Sequence, residues 1–230
     1  PIAAWRKIVS HTKAPFSAYA QFEEHHVLCA SPERYLKRTG NRVISQPIKG
    51  TIRRGASELE DEQLKRKLFE SKKERAENVM IVDLVRNDLS RFAKRDSVKV
   101  DELFGTYTFK TVHHLISTIS CEVEPEASWI DLIRSTFPMG SMTGAPKVSA
   151  MELISKHEVT ERGVYSGSIG YIEPNGDFDF NVVIRSVQYD RLHKTVSCHV
   201  GGAITSLCDA EAEYQECLLK AEAVLNALRG

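Results

Sequence analysis

Three short stretches carry residues whose types and spacing suit chemistry. In Gln46-Pro47-Ile48-Lys49-Gly50-Thr51, a lysine stands alone among small and apolar neighbours. Pro47 fixes φ just before it, and Gly50 permits an unusual backbone angle or a close approach just after it. The pattern presents an amine rigidly at the end of a strand; a strand-end lysine that snorkels to water accounts for the same six residues. Glu33 lies in Ser31-Pro32-Glu33-Arg34, where a proline-fixed corner can turn a carboxylate toward a cleft or simply leave a turn acid in water. Glu74 and Glu77 open a helix at i, i+3 spacing, so their carboxylates share a face, although acids in a first turn also complement the helix dipole. Glu213, Glu216 and Lys220 fall within an arc of about 60° on the last helix. There the i, i+4 pair Glu216–Lys220 is by itself an ordinary helix stabiliser. If the two Glu-x-x-Glu pairs face each other, four hard oxygen donors suit Mg²⁺ completed by substrate and water. Spacing alone leaves the pairing of those helices open, and no His/Cys cluster points to zinc.

These residues need a frame. A helix around 5–11 closes at Lys13-Ala14-Pro15, and two hairpins are expected from Phe16 to Ile48. Helices follow at 58–72, with Leu59, Leu64, Leu68 and Phe69 as its stripe, and at 73–93, whose centre 79–85 is apolar nearly all round. Two strands over 98–123 carry His113-His114, and a short helix over 128–137 has Ser128 as its N-cap. The loop 138–147 is rich in turn formers and leads into a helix at about 146–157. Pro146 suits its first position, and the glycines and hydroxyls can take an anion there. Strands at 165–172 and 178–189 form a hairpin around Pro174-Asn175-Gly176-Asp177, and a further strand spans 195–200. A helix over 209–228 closes the chain, with Tyr214, Cys217, Leu218, Ala221, Val224, Leu225 and Leu228 as its core stripe. The pattern predicts one α+β domain over 1–230, with no internal repeat.

Composition narrows the function classes. Among 230 residues, 31 Lys+Arg balance 31 Asp+Glu, so no general attraction to nucleic acid or membrane is expected. The 5 cysteines lack C-x-x-C spacing and suit a reducing, cytoplasmic compartment rather than a disulfide framework. No apolar run approaches the ~20 residues of a membrane span. The chain opens at Pro1, so an N-terminal portion is expected to be missing.

The motifs in chain order resemble the chorismate-utilising enzymes, which include anthranilate, aminodeoxychorismate, isochorismate and salicylate synthases. The matching segments are Ala14-Pro15-Phe16-Ser17-Ala18-Tyr19, Ser31-Pro32-Glu33-Arg34, Pro47-Ile48-Lys49-Gly50-Thr51, Glu74-Arg75-Ala76-Glu77-Asn78 and Val82-Asp83-Leu84-Val85-Arg86-Asn87-Asp88-Leu89. The set continues through Gly140-Ser141-Met142-Thr143-Gly144-Ala145-Pro146-Lys147, Tyr165-Ser166-Gly167-Ser168-Ile169-Gly170-Tyr171, Val183-Ile184-Arg185-Ser186 and Glu211-Ala212-Glu213-Tyr214-Gln215-Glu216. The resemblance implies a chorismate-binding enzyme fold, α+β with central antiparallel-rich β-sheets flanked by helices and Mg²⁺-bound chorismate in the cleft. Glu77 and Glu216 match metal-binding glutamates, with Glu74 and Glu213 as their partners. His114, Tyr165, Arg185 and Lys220 match residues that hold the substrate. Gly50 and Thr51 match contacts to the ring region, and Gly201 opens the family's Gly-x-Gly-Ile segment on the substrate.

Lys49 selects the branch. Anthranilate synthases carry alanine in this motif, whereas aminodeoxychorismate synthases carry lysine, regarded there as a covalent nucleophile. The resemblance thus implies amination of chorismate to 4-amino-4-deoxychorismate, with Glu33 as acid and base and ammonia supplied by a glutamine amidotransferase subunit. Anthranilate synthesis and a non-catalytic binding fragment are the alternatives. The chain departs from the family pattern at Gly201-Gly202-Ala203-Ile204, where alanine replaces a glycine, and at Leu207-Cys208-Asp209-Ala210.

Overall fold

A computed structural model describes residues 1–110, 112–206 and 208–229. The chain divides into two compact units: Pro1–Glu33, Arg162–Ile169 and Val182–Gly230 form the first, and Arg34–Glu161 with Gly170–Asn181 form the second. The strand pairs within each are antiparallel, so the expected α+β class with helix-flanked antiparallel sheets is the one observed.

The first unit is a four-stranded sheet. Strands β1 (Phe16–Phe22) and β2 (His25–Ser31) form the first predicted hairpin, and β10 (Ser186–Asp190) and β11 (Thr195–Ser197) continue the order β1-β2-β10-β11. Alternation along β2 sends Leu28 and Ala30 to one face and Val27 and Cys29 to the other, and both faces are covered. Helices α1 (Ile2–Thr12) and α6 (Ala210–Arg229) supply Ile8 and Val224 to the first of these cores. Each such fully buried aliphatic side chain contributes roughly 1.5–3 kcal/mol. Lys13 ends α1 in the left-handed region at φ 52°, as the Lys13-Ala14-Pro15 break anticipates.

The inner stripe of α6 is rotated from the expected one. Tyr214 is 58% exposed and Leu218 44% exposed, whereas Glu213 is buried. The observed line runs through Glu213, Cys217, Ala221, Val224 and Leu228. Gly202 explains the rotation: a Cβ there would sit 2.7 Å from Glu213 Oε2, so the bare backbone makes room for a carboxylate. A hydropathy wheel assigns glutamate to water and cannot see that space.

The second unit is a seven-stranded sheet in the order β5-β7-β4-β3-β9-β8, with β6 also paired to β7. Its strands are β3 (Arg34–Thr39), β4 (Arg42–Gln46), β5 (Ile48–Arg53), β6 (Lys99–Thr108), β7 (Val112–Glu122), β8 (Gly170–Ile172) and β9 (Phe178–Asn181). Helices α2 (Glu58–Glu70) and α3 (Lys72–Ser90) pack on β5 and β7, where Leu68, Phe104 and Leu115 form a core with Ile52 beside it. On α2 only part of the expected stripe is inside: Leu68 is buried and Leu64 half-buried, but Leu59 and Phe69 are exposed. Asp61 is turned inward instead. It accepts from Arg54 Nη2 at 2.8 Å, Gly55 N–H at 2.7 Å and His113 Nε2 at 3.0 Å. Arg54 first, then Gly55 and His113, hold its carboxyl well below the usual range. Along α3, Ile81, Val82, Val85 and Leu89 are buried, but Val79 faces solvent, so the helix is covered over a wide arc rather than all round.

Helix α4 (Trp129–Thr136) starts at Ser128, which accepts from the Ile130 N–H as expected for its N-cap. Helix α5 (Lys147–His157) begins one residue later than predicted, with Pro146 as the cap rather than the first helical residue. Two polar side chains of the segment before and at its start bond within the fold. Lys147 Nζ donates to Asp88 Oδ2 at 2.7 Å and to Thr136 O at 3.1 Å, and Thr143 Oγ1 donates to Met139 O at 3.2 Å. These bonds tie the loop to α3 and to its own backbone.

Three strand expectations also change. Residues 165–169 lie outside any strand, so β8 starts only at Gly170. The run 178–189 splits into β9 and β10 at 182–185, and 195–200 shortens to β11. Arg185 adopts φ 53° and Ser166 φ 67°, which interrupts extended backbone. Val182 N–H donates to Glu33 O at 3.1 Å and Val183 N–H to Gly167 O at 2.8 Å, so these amides leave the ladder. The breaks fall on chemistry-bearing residues.

Candidate active site

In the second unit, β4 and β5 run along the same edge of β7, where Ser45 pairs with Ile119 and Ile48 with Ile116. The register then shifts: Thr51 pairs with His114, so Lys49 and Gly50 together oppose Leu115. Lys49, the second residue of β5, therefore sits at the end of a strand as the sequence suggests, but within a β-bulge. Bulges of this kind re-aim a side chain and recur beside functional sites. Gly50 adopts φ +93°, and a Cβ on it would lie 3.1 Å from Leu68 Cδ1, 3.2 Å from Glu74 Oε2 and 3.3 Å from Glu74 Cβ. Both roles expected of this glycine, the backbone angle and the close approach, are present.

The same unit brings Thr51, Glu74 and His114 to this bulge. Thr51 Oγ1 and His114 Nδ1 share a hydrogen bond of 2.8 Å, and Phe109 meets the His114 ring edge-on with centroids 5.3 Å apart. Ser71 caps α3 by accepting from the Glu74 N–H, which places Glu74 in the first turn against Gly50. Glu77 follows one turn on. Its Oε1 is buried and accepts no hydrogen bond; Lys73 Nζ lies 3.9 Å from it, an ion-pair distance beyond hydrogen-bonding reach. A buried carboxylate oxygen so placed fits a hard cation. Among the described residues no group of three or more histidine, cysteine, aspartate or glutamate side chains forms a metal-binding set. Mg²⁺ needs no such cage, because it keeps several waters and takes one or two carboxylates plus substrate oxygens.

A Gly50→Ala substitution tests the bulge. A non-glycine residue at positive φ costs about 1–3 kcal/mol, and the Cβ adds contacts to Leu68 and Glu74. We expect unfolding free energy to fall by that order, read as a lower denaturant midpoint. An unchanged midpoint would mean that the bulge relaxes freely.

The first unit gathers the other candidates. Glu33 is buried at the corner after β2; its N–H donates to Ser31 Oγ at 3.2 Å. Tyr165 and His199 stack with centroids 5.7 Å apart, and a Cβ on Gly201 would come within 3.0 Å of the Tyr165 hydroxyl. Lys220 Nζ donates to Gly201 O at 2.8 Å and pairs with Glu216 Oε1 at 2.7 Å. Burial pulls the Arg185 pKa below the ordinary arginine value, while Glu216, Tyr165 and Cys198 act the other way. Arg185 therefore shares an electrostatic neighbourhood with Tyr165 and Glu216. The departure at 207–210 includes Leu207, which lies outside the described residues.

His199, and the packing of Gly202 on Glu213, are not legible in the sequence. A histidine two residues before Gly201-Gly202 has no spacing signal, and the packing role of Gly202 comes only from Glu213.

A family model described as chorismate binding enzyme matches residues 1–226, and the chain belongs to that family. The aminodeoxychorismate synthase of Streptomyces pristinaespiralis is 44% identical over 230 residues, covering 100% of this chain and 32% of that protein. Aminodeoxychorismate synthase component 1 of Escherichia coli (strain K12) is 42% identical over 225 residues, 98% of this chain and 49% of that protein. Among solved structures, anthranilate synthase component I from Streptococcus pneumoniae TIGR4 aligns with a TM-score of 0.85 at 32% identity, over 97% of this chain and 49% of that one. The chain thus spans about half or less of the length of these relatives. Among the described residues no helix is long and apolar enough to cross a membrane.

Proposed function

We propose that this chain carries out the amination of chorismate to 4-amino-4-deoxychorismate, as the catalytic component of an aminodeoxychorismate synthase. The observation that carries the reading is Lys49 in a glycine-bearing bulge against Glu74, in a chain whose relatives at 42–44% identity bear that name. In the proposed reaction the Lys49 amine must be neutral at the moment of attack. Its lone pair forms a bond to ring carbon 2, the two ring double bonds shift, and the bond from carbon 4 to the hydroxyl oxygen breaks. Glu33 gives that oxygen a proton, so it leaves as water. Ammonia then bonds carbon 4, the double bonds shift back, and the bond from carbon 2 to Nζ breaks. Two displacements restore the original face at carbon 4.

Arg185 and Tyr165 suit one substrate carboxylate, since a guanidinium fork and a phenol hydroxyl both donate to it. Thr51 and His114 orient the ring region, Gly201 keeps its surroundings open, and Lys220, paired with Glu216, holds the substrate with them. Glu77 and Glu216, with Glu74 and Glu213 as partners, are the residues that would hold Mg²⁺. When bound, the ion supplies neutralisation of a carboxylate and polarisation of the leaving oxygen. Ammonia would come from a glutamine amidotransferase subunit, in a cytoplasmic setting.

Product identification tests this. The full-length protein, supplied with chorismate, Mg²⁺ and ammonium, should yield aminodeoxychorismate by mass spectrometry. Anthranilate as the main product would move the chain to the sister activity, and no turnover would leave a binding protein. Glu33→Gln is expected to lower kcat by roughly 10²-fold or more with little change in KM. Normal turnover in that variant would reduce Glu33 to a corner residue.

A further inference from the structure

We propose that Asn78 and Ser117 form a positioning hub for Lys49, an assignment that rests on the nucleophilic role proposed for that lysine. Both side chains are buried, Asn78 at 1% and Ser117 at 0% exposure. Ser117 Oγ donates to Asn78 Oδ1 at 2.6 Å and accepts from the Phe104 N–H at 3.1 Å. The Ser117 backbone N–H donates to Pro47 O at 3.3 Å. One residue of β7 therefore joins α3, β6 and the carbonyl two residues before Lys49.

The second anchor lies on the other side of the lysine, where Gly50 is packed on Glu74 and Thr51 is bonded to His114. Helix α3 thus grips the bulge before and after Lys49, through Asn78 on one side and Glu74 on the other. A bulge is the least determined point of a ladder, because its extra residue is unpaired. Two fixed neighbours remove that freedom. The hub has an energetic sign of its own: Asn78 Nδ2 is buried without a hydrogen-bond partner. Leaving a buried donor unmade is unfavourable, and an alanine or leucine would avoid it. Asparagine at this position is therefore better explained by what its Oδ1 accepts than by packing.

Because Asn78 and Ser117 act through Lys49 and do not touch the substrate in this reading, their loss should appear in kcat. Ser117→Ala and Asn78→Ala are each expected to lower kcat per folded molecule by about tenfold, with KM for chorismate within about twofold. The double variant should lose little more than either single one, since both remove the same link. Ser117→Thr keeps the hydroxyl and should retain most of the wild-type kcat, provided it folds. If Asn78→Ala does not fold, Ser117→Ala decides alone. A second readout is independent of turnover: competitive acylation of lysines, read by peptide mass spectrometry. The rate at Lys49 relative to the other lysines should change by about threefold or more in Ser117→Ala. Wild-type protein that fails to turn over chorismate would sink the functional reading, and the labelling would still judge the positioning. Unchanged relative labelling and unchanged kcat, with only a lower melting midpoint, would overturn the hub and leave a structural hydrogen bond.

Discussion

Lys49→Ala is expected to remove most aminodeoxychorismate formation and to shift any residual product toward aminodeoxyisochorismate or anthranilate. The substitution recreates the alanine of the sister enzymes and vacates the space of a four-carbon amine. Ammonia can then attack ring carbon 2, the carbon the lysine would have taken. Wild-type protein given chorismate and Mg²⁺ without ammonia should accumulate some adduct on the peptide containing Lys49, and the alanine variant should not. No borohydride is needed, since the adduct is a secondary amine and not an imine. Lys49→Arg should fail to rescue, because a guanidinium stays protonated and cannot attack. The bulge strengthens this expectation. A lysine in a regular ladder could be replaced with little local consequence, whereas this one is flanked by a proline carbonyl bonded to β7 and a glycine at φ +93°. Undiminished aminodeoxychorismate synthesis by Lys49→Ala would end the covalent mechanism.

Glu77→Gln should lower turnover by orders of magnitude while leaving the fold as stable as before, or more so. The Glu77 Oε1 is buried and accepts no hydrogen bond. A carboxylate left so is unfavourable by about 1–3 kcal/mol or more, and an amide of the same shape lowers that penalty. Stability and activity are therefore expected to move in opposite directions, as they do where a site is built for a ligand. Added Mg²⁺ should raise the melting midpoint of the wild type by ligand linkage and should do so less in the variant. Glu216→Gln should also lose turnover, but with a structural penalty: Glu216 pairs with Lys220 and lies in the field of Arg185. A Glu77→Gln protein active at low Mg²⁺, with an unaltered midpoint shift, would show that this glutamate holds no metal.

The sequence by itself determined the class and the order of the elements. The two hairpins of 16–48, the paired strands of 98–123 and the Ser128 cap follow from local alternation, turn residues and a hydroxyl before a helix, which are short-range signals. Motifs spread from Ala14 to Glu216 determined the family, because their agreement in order is a property of the chain and not of its packing. Tertiary structure decided what depends on a neighbour distant in sequence. The bulge at Lys49 exists only in the register of β5 against β7, and Gly50 is needed only because Glu74 packs on it. Leu59, Phe69, Tyr214 and Leu218 read as core on a helical wheel but are exposed, while Glu213 and Asp61 turn inward. Gly202 leaves room for one carboxylate, and Arg54, Gly55 and His113 satisfy the other. Hydropathy ranks a side chain by its own affinity for water. Whether a carboxylate is buried depends on the partners that replace that water, and those partners lie elsewhere in the chain.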